Sequence, residues 1–273
     1  MSRRVIGYLT WYPVLVAAAL VMALPLLWMI TTAFKSNGQV INMAAPFLPV
    51  HWEFGNIARA WEAAPFARFY LNSIIFTVAA SLGQVITSAM SGYAFARVDF
   101  PGKTLLFYLI LMGLMIPFTA VMVPVVKLVN SFGWINTYQG LIVPNIQSAF
   151  GMFLFRQYFL GLPTEVEDAG RVDGASQVRI FTSIALPLAL PMVSAFGLLS
   201  FLTNWNNFLY PLLVTSSTSM MVVPLGLSIF QSQFVTQYNL LMAGALIAVI
   251  PVMIVSIFAQ RSIVSGITVG SIR

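Results

Sequence analysis

Long uncharged stretches recur along the whole chain. Aspartate, glutamate, lysine and arginine are absent from residues 5–34, 69–96, 104–126, 128–155 and 180–260. A helix of about 20 apolar residues crosses the roughly 30 Å hydrocarbon core of a bilayer, so each of the first four stretches can hold one. The last stretch is long enough for two helices, and its polar middle, Thr215–Ser219, favours a loop between them. We therefore predict six transmembrane helices, near residues 12–33, 71–95, 104–128, 139–160, 184–213 and 239–260.

These runs are continuously apolar rather than alternating, which favours an all-α integral membrane protein over a transmembrane barrel. The composition agrees, with 59% hydrophobic residues, 7% charged residues and a mean hydropathy of +0.91. A soluble domain carries roughly 25% charged residues to cover its surface. A soluble enzyme and a disordered chain are therefore excluded, and the lack of cysteine excludes a disulfide scaffold.

The basic residues fall unevenly on the two sides of the predicted membrane. With a cytoplasmic N-terminus, the inside carries Arg3, Arg4, Arg97, Lys103, Arg156, Arg171, Arg179, Arg261 and Arg273. The outside then carries Lys35, Arg59, Arg68 and Lys127. The positive-inside rule favours this orientation, with both termini in the cytoplasm. Since the net charge of +6 mostly reflects topology, we expect no nucleic-acid partner.

The predicted spans divide the chain into three parts. Residues 1–68 hold the first helix and an extracytoplasmic loop, and residues 69–261 form a five-helix core with a cytoplasmic loop at 162–180. Residues 262–273 form a cytoplasmic tail. The apolar run after Arg4 is longer than the core of an ordinary signal peptide and lacks a clear cleavage site, so we interpret it as an uncleaved first span.

The sequence favours an external energy source over ion coupling. The uncharged stretches contain no group typical of a proton relay, and the single histidine, His51, falls in the extracytoplasmic loop. Gly102-Lys103-Thr104 matches the end of a phosphate-binding loop, but Arg97 occupies the position of its first glycine. We interpret these residues as a turn with an interfacial lysine. The chain itself is therefore expected to bind neither ATP nor a metal.

Charge concentrates in the predicted cytoplasmic loop, where five charged residues lie within Glu165–Asp173. Thr164 and Glu167 have the spacing of a capping box, and acidic residues favour the N-terminus of a helix. Gly174 suits a left-handed helix stop. The pattern predicts a helix of about two turns parallel to the membrane, then a turn and a second helix from about Ser176. An ordinary solvated loop would also fit these features.

The same loop carries a motif with specific spacing. From Asp168 to Pro187 the sequence reads Asp-Ala-Gly-x3-Gly-x9-Ile-x-Leu-Pro. It resembles the Glu-Ala-Ala-x3-Gly-x9-Ile-x-Leu-Pro motif of ABC importer permeases, with aspartate for glutamate and Gly170 for alanine. Glycine loosens a helix by about 1 kcal/mol relative to alanine. Segments that extend the resemblance to the smaller permease of maltose-type carbohydrate importers are Asn72-Ser73, Gly92–Gly102, Asn136–Pro144, Trp205–Phe208 and Gln260–Gly270.

The resemblance implies a type I ABC importer permease in a bacterial or archaeal cytoplasmic membrane, which is a non-catalytic subunit. It implies a second, paralogous permease, two ATPase subunits that bind ATP and Mg, and an extracytoplasmic sugar-binding protein. The cytoplasmic helix would enter a cleft of one ATPase and convert its closure into alternating access of the spans. The ATPase-coupling residues carried over from the motif are Glu167, Asp168, Ala169, Gly170, Arg171, Asp173 and Gly174.

A neutral sugar requires hydrogen-bonding side chains and a flat apolar face rather than fixed charge. Candidates for such a translocation path are Gln84, Asn145, Asn204, Trp205, Asn206, Asn207 and Tyr210, with Tyr93 a further polar residue of the second span. The same side chains could instead join helices of this chain or contact the sister permease. We expect import of a di- or oligosaccharide. Glycerol phosphate or another polyol derivative is an alternative substrate, and an ATP-independent six-helix carrier is an alternative class.

Overall fold

The computed structural model describes residues 3–231 and 236–269, and side chains over 11–231 and 236–258. Within these ranges the chain is helical, apart from one isolated antiparallel bridge between Gln231 and Thr236. This confirms the predicted all-α class. Gly270 and Arg273 of the predicted tail lie outside the described residues.

The chain divides into two compact units, of which the first is built from Met1–Phe66 and Gly226–Ile250. Its elements are α1 (Arg3–Ala33), α2 (Asn37–Ile41), α3 (Gly55–Glu62), a 3-10 turn (Leu227–Phe230) and the first part of α15 (Tyr238–Val269). Asn56 is fully buried and donates through Nδ2 to the carbonyls of Ala33 and Lys35, both at 2.8 Å. These bonds hold α3 against the end of α1.

The second unit is built from Ala67–Leu225 and Pro251–Arg273. Its first helices are α4 (Phe66–Arg97), α5 (Lys103–Met112), α6 (Phe118–Ser131), α7 (Tyr138–Ile142) and α8 (Ala149–Leu160). They are followed by α9 (Glu165–Val172), α10 (Gln177–Ile180), a π-helical turn (Phe181–Ala185), α11 (Leu186–Leu188), α12 (Leu190–Trp205), α13 (Leu209–Val214) and α14 (Val223–Gly226). Short 3-10 turns cover Gly113–Met115, Val143–Asn145 and Thr218–Met220.

Three described helical segments are long and apolar enough to cross a membrane: Trp11–Ala33, Phe66–Arg97 and Tyr238–Phe258. Large apolar side chains of the first are exposed, including Trp11 at 67% and Met22 at 78%. A helix that exposes apolar residues in this way is suited to contact with lipid or with another apolar helix. The predicted spans at 12–33, 71–95 and 239–260 therefore correspond to long helices.

Two other predicted spans are bent, which raises the number of crossings to five if each bent pair is one span. The first bend, of 103°, joins Lys103–Met115 to Phe118–Ser131. The second, of 77°, follows Leu188. The predicted spans over 104–128 and 184–213 are therefore each broken into more than one helix rather than formed by a single straight one.

Proline accounts for the breaks. Pro117 is extended, with φ −65° and ψ 143°, and it cannot donate a backbone hydrogen bond to the preceding turn. Pro191 lies in the first turn of α12, where proline is tolerated and a new helix can begin.

The predicted span over 139–160 is also interrupted. Pro144 lies in a 3-10 turn, and the α8 helix that follows has 12 residues, about 18 Å of helix. That length is shorter than a membrane core, so this span is not a single straight helix.

The polar segment after α13 is a loop, as predicted. Asn72, which is fully buried in α4, donates through Nδ2 to the carbonyls of Ser219 at 2.9 Å and Met221 at 2.8 Å. The hydroxyl of Ser73 accepts from the amide of Val223 at 2.7 Å. The Asn72-Ser73 pair therefore fixes this loop against the long helix.

The helices α4 and α8 approach closely at Gly92. A Cβ atom at this position would lie 2.5 Å from Cβ of Phe155 and 2.8 Å from the backbone nitrogen of Arg156. Because one of the two obstacles is backbone, the helices would have to separate to admit a methyl group.

We expect Gly92→Ala to destabilise the protein by about 1–3 kcal/mol, the usual range for overpacking. The measurement is thermal unfolding in detergent, in which the loss of monodisperse protein is recorded as the temperature rises. Gly113→Ala is the matched control, since no atom lies within 4 Å of its added Cβ and its φ is −59°. Equal unfolding temperatures for the two variants would contradict the close approach.

Candidate functional site

The helix α9 presents a charged, exposed surface. It spans eight residues, Glu165–Val172, and confirms the short helix predicted for this loop. The predicted capping box is wrong, because Thr164 has helical backbone angles and its side chain makes no capping bond. The Glu167 carboxylate is instead directed to a buried arginine.

The C-terminus of α9 is closed by a Schellman motif. Gly174 has φ +78°, the left-handed conformation predicted from its position. The amide of Ala175 donates to the carbonyl of Gly170 at 2.9 Å, and that of Gly174 to the carbonyl of Arg171 at 3.0 Å. Ser176 then caps α10 by accepting from the amide of Arg179, so the second helix begins where the sequence predicts. The turn between the two helices is thereby defined by backbone geometry.

Glu167 lies on the inner side of α9 and forms a buried ion pair with Arg97. Nε of Arg97 is 2.9 Å from Oε1 of Glu167, and the two side chains are 10% and 2% exposed. Nη2 of Arg97 also donates to the carbonyl of Leu162 at 2.7 Å. The last residue of α4 therefore binds both α9 and the segment that leads into it. We call Arg97, Glu167 and Tyr93 the coupling seat.

Tyr93 completes the coupling seat from one turn earlier on α4. Its hydroxyl donates to Oε2 of Glu167 at 3.1 Å and accepts from Nε2 of Gln177 at 2.8 Å. Its ring lies 5.3 Å from Phe159 and 5.0 Å from Phe181. The apolar surroundings exclude water, so the ion pair operates in a low dielectric where each partner depends strongly on the other.

The seven residues carried over from the motif divide between two faces of α9 and its turn. Glu167 and Gly170 are buried in this chain, so they attach the helix rather than form its outer surface. The other five are exposed: Asp168, Ala169, Arg171, Asp173 and Gly174. Arg171 pairs with Asp168 and lies 3.9 Å from Oε2 of Glu167. The exposed face is thus oriented by the buried one.

Sequence reasoning missed two parts of this site. Arg97 was assigned only to the basic residues of the loops, and Tyr93 was a candidate for the sugar path, although its hydroxyl is engaged by Glu167 and Gln177. The exposed valines were also missed: Val166 is 48% exposed and Val172 is 87% exposed. Apolar side chains on a charged, solvated helix are typical of a surface that another protein covers.

Gly170 occupies the position where the motif has alanine. A Cβ atom there would meet Cδ1 of Ile184 at 2.9 Å and Cγ1 of Ile180 at 3.6 Å. The nearer atom is the end of a flexible side chain, which can move by a few tenths of an ångström.

We therefore expect Gly170→Ala to be close to neutral or stabilising by up to about 1 kcal/mol, because alanine is the better helix former. Gly170→Leu should instead lift α9 from its seat. Thermal unfolding of both variants beside the unmodified protein measures this difference. A large loss of stability in Gly170→Ala would show that Ile184 cannot move.

The predicted path residues form a network within the second unit. Nδ2 of Asn204 donates to Oγ of Ser81 at 3.0 Å and Oε1 of Gln84 at 3.3 Å. Nε2 of Gln84 donates to the carbonyl of Asn145 at 2.8 Å, and the side chain of Asn145 donates to the carbonyl of Leu141. The structure therefore brings Gln84, Asn145 and Asn204 together, with their amides used in joining α4, α12 and the turn after α7.

The remaining path candidates are dispersed around α12 and α13. Trp205 is 3% exposed and stacks on Phe201 at 5.8 Å, while Asn206 is exposed and donates to the carbonyl of Leu202. Oδ1 of Asn207 accepts from the amide of Tyr210, whose hydroxyl donates to the carbonyl of Gly140. Contact of any of these residues with a sugar stays a prediction.

Long apolar helices are typical of an integral membrane protein, and α9 is attached to one of them through a buried ion pair. Residues 84–268 match the family described as binding-protein-dependent transport system inner membrane component. This match covers more than half of the chain, and the chain belongs to that family.

Several permease proteins are similar to this chain over most of their own length. The arabinooligosaccharides transport system permease protein AraQ of Halalkalibacterium halodurans is 34% identical, with 100% of both chains covered. The diacetylchitobiose uptake system permease protein NgcG of Streptomyces coelicolor is 34% identical over 96% of this chain and 88% of the relative. The sn-glycerol-3-phosphate transport system permease protein UgpE of Yersinia pestis is 33% identical over 93% of each.

A solved structure shares the fold. A chain of a bacterial ABC transporter involved in the import of the acidic polysaccharide alginate superposes with a TM-score of 0.82. The match covers 96% of this chain and 98% of that chain at 22% identity. The permease fold expected from the motif is therefore confirmed for this chain.

Proposed function

We propose that this protein is a permease subunit of an ATP-driven importer that moves a neutral di- or oligosaccharide into the cytoplasm. Family membership supports the transport role. The substrates in the names of two relatives, arabinooligosaccharides and diacetylchitobiose, support the sugar class. The chain would be the non-catalytic partner of two ATPase subunits that bind ATP and Mg.

We infer six membrane crossings with both termini in the cytoplasm. Three long helices and two bent pairs give five, and the sixth would combine α7, the 3-10 turn at Val143–Asn145 and α8. A broken helix can cross a membrane where other helices of the protein cover its free backbone groups. The positive-inside distribution of arginine and lysine supports the orientation.

The observation that carries the coupling mechanism is the buried Arg97–Glu167 pair. An ATPase that binds the exposed face of α9 moves this helix when it closes on ATP. Because Glu167 is held by Arg97 and Tyr93, α9 cannot move without pulling on the end of α4. The 32-residue α4 then carries the displacement through the membrane and changes which side of the path is open.

Within this proposal, a second permease completes the path and a binding protein delivers the sugar from outside. A solved alginate transporter in complex with its oligosaccharide-bound periplasmic protein shares the fold at a TM-score of 0.70, and this supports a binding-protein partner. Glycerol phosphate is a second candidate, favoured by the similarity to the sn-glycerol-3-phosphate permease. The uncharged interiors of the long helices favour the neutral sugar.

The test is uptake by the complete complex in proteoliposomes with ATP inside. We expect ATP-dependent accumulation of a neutral oligosaccharide from a panel containing arabinotriose and diacetylchitobiose. A non-hydrolysable ATP analogue is the control and should abolish accumulation. Uptake of sn-glycerol 3-phosphate alone would favour the second candidate. Uptake by the chain without ATPase would contradict the proposal and favour a carrier.

A further inference from the structure

An exposed apolar surface lies beside the C-terminal end of α1, within the first compact unit. It belongs to residues 42–54, which we call the return segment because they fold back onto the end of that helix. Six of its large apolar side chains are at least 42% exposed: Met43, Phe47, Leu48, Val50, Trp52 and Phe54. A contiguous patch of this kind marks contact with a membrane or with another protein. The coupling mechanism does not use it.

Hydrogen bonds hold the return segment at the level of the end of α1. The amide of Glu53 donates to the carbonyl of Phe34 at 2.9 Å. Nζ of Lys35 donates to the carbonyl of Pro46 at 2.8 Å. Phe34 and Lys35 follow directly after α1, which ends at Ala33. Both halves of the return segment are therefore bonded to the residues that leave this helix.

Aromatic contacts connect the exposed face of α1 with the return segment. Trp28, near the end of α1 and 53% exposed, lies 5.7 Å from Phe47 between ring centres. Phe34 lies 5.9 Å from Trp52 and 5.3 Å from Phe54. Trp52 and Phe54 are stacked on each other at 5.9 Å. The apolar face of the helix therefore continues onto the return segment.

The polarity of this region is reversed relative to a protein surface in water. Lys35 is 3% exposed, whereas Trp52 and Phe54 are 49% and 68% exposed. The ammonium group of Lys35 is held under the segment by the carbonyl of Pro46 and lies 5.3 Å from the centre of the Trp28 ring. Lysine is almost never buried at a surface that faces water. A buried cation beneath exposed aromatic rings therefore suits surroundings that are less polar than water.

The length of α1 indicates where these surroundings lie. The apolar stretch Trp11–Ala33 has 23 residues. At 1.5 Å per residue it measures about 34 Å, slightly more than the roughly 30 Å hydrocarbon core of a bilayer. If α1 crosses the membrane, Ala33 and the return segment lie at the level of the lipid headgroups. Tryptophan is enriched at this level, because its ring is apolar and its N–H can reach water.

The charges of the return segment are compatible with lipid headgroups. Its one acidic residue is Glu53, which pairs with Arg59 at 2.9 Å. The carboxylate is therefore neutralised within the protein and adds no net negative charge that would repel phosphate groups.

We propose that the return segment is a membrane anchor, which inserts its exposed apolar side chains into the boundary between lipid headgroups and acyl chains. The patch continues the exposed face of α1 and lies at the level of its end, and this continuity favours lipid over a second protein. Anchoring would fix the height of α1 in the bilayer and hold the first unit against the membrane surface. The inference goes beyond the transport role and depends only on α1 as a membrane span.

The test is electron paramagnetic resonance of nitroxide labels on the complete transporter in liposomes. Single cysteines are introduced by Leu48→Cys and Val50→Cys, and contact is compared for oxygen, which dissolves in lipid, and a water-soluble nickel chelate. This chain has no cysteine, so the unmodified complex, labelled in the same way, gives the background to subtract. Leu20→Cys, on the exposed face of α1, is the lipid reference, and Glu62→Cys, an exposed position at the end of α3, is the water reference.

We expect the ratio of oxygen contact to nickel contact at positions 48 and 50 to exceed that at position 62 severalfold and to approach that at position 20. A ratio at both positions equal to that at position 62 would overturn the anchor, because it would place the segment in water. Exclusion of both reagents would also overturn it, because it would show a protein partner on the patch. A water-like ratio at position 20 would contradict α1 as a membrane span, and with it the proposed topology.

Discussion

An Arg97→Ala variant should lose ATP-driven uptake almost completely and unfold at a clearly lower temperature. Removing the guanidinium leaves the carboxylate of Glu167, 2% exposed, without its main counter-charge. Breaking a buried pair on one side typically costs about 3–5 kcal/mol. It also removes the bond from Arg97 to the carbonyl of Leu162. Without both contacts, the side-chain bond that still attaches Glu167 of α9 to α4 is the one from the hydroxyl of Tyr93.

The exposed Arg59–Glu53 pair is the matched control for stability. Its N–O distance is the same 2.9 Å, but its side chains are 57% and 41% exposed. Arg59→Ala should therefore change stability by no more than about 1 kcal/mol. The measurement is thermal unfolding of both variants in the same detergent. The account would be contradicted if Arg97→Ala and Arg59→Ala unfolded alike and Arg97→Ala still supported uptake.

A Gly174→Trp variant should insert in the membrane normally but separate ATP hydrolysis from uptake. No atom lies within 4 Å of a Cβ at this position, so the first atom of the new side chain meets no steric clash within the described part of this chain. It does hold a non-glycine residue at φ +78°, which costs about 1–2 kcal/mol. The indole would also project beside the exposed face of α9, where an ATPase is proposed to bind.

Two further variants separate backbone strain from bulk. Gly174→Asn tolerates the left-handed conformation and should keep most uptake, whereas Gly174→Ala adds strain without bulk. ATP hydrolysis and sugar uptake are measured together for all three. We expect uptake per ATP hydrolysed to fall steeply for tryptophan and little for asparagine. Unchanged coupling in Gly174→Trp would remove α9 and its turn from the coupling surface.

The parts of the fold that sequence predicts best are those set by local pattern. The long uncharged runs that became α1, α4 and α15 are such cases, because charged side chains are costly within the hydrocarbon core of a membrane. The α9 helix and the stop at Gly174 were also predictable, since charge at a helix N-terminus and a left-handed glycine act within a few residues.

Prolines within the predicted spans indicate where each span can bend, but the sequence does not show which of them bends it. A proline marks a position where a helix can break. The chain breaks at Pro117 but not at Pro124, and this difference depends on which packing partners bind the free backbone groups. Pro124 lies inside α6, whereas Pro117 precedes it. A hydrophobic run alone holds no information on this choice.

The coupling seat escaped sequence reasoning for a different reason. Arg97 and Glu167 are 70 residues apart, and each has a sufficient local explanation, one as a topology signal and the other as a capping residue. The available signal was spacing: Glu167 and Gly170 lie on one face of α9, and a small residue beside a carboxylate marks the side that packs.

The central claim is that α9 binds an ATPase subunit through its exposed face. The chain has no cysteine, so Val172→Cys provides a single attachment point on that face, where the native side chain is 87% exposed. A benzophenone maleimide attached there is activated by light in the complete complex, and mass spectrometry identifies what it captures. Met43→Cys, fully exposed in the first unit, is the control. We predict an ATPase peptide captured by position 172 and none by position 43. Capture of lipid alone at position 172, in a complex that hydrolyses ATP, would contradict the account.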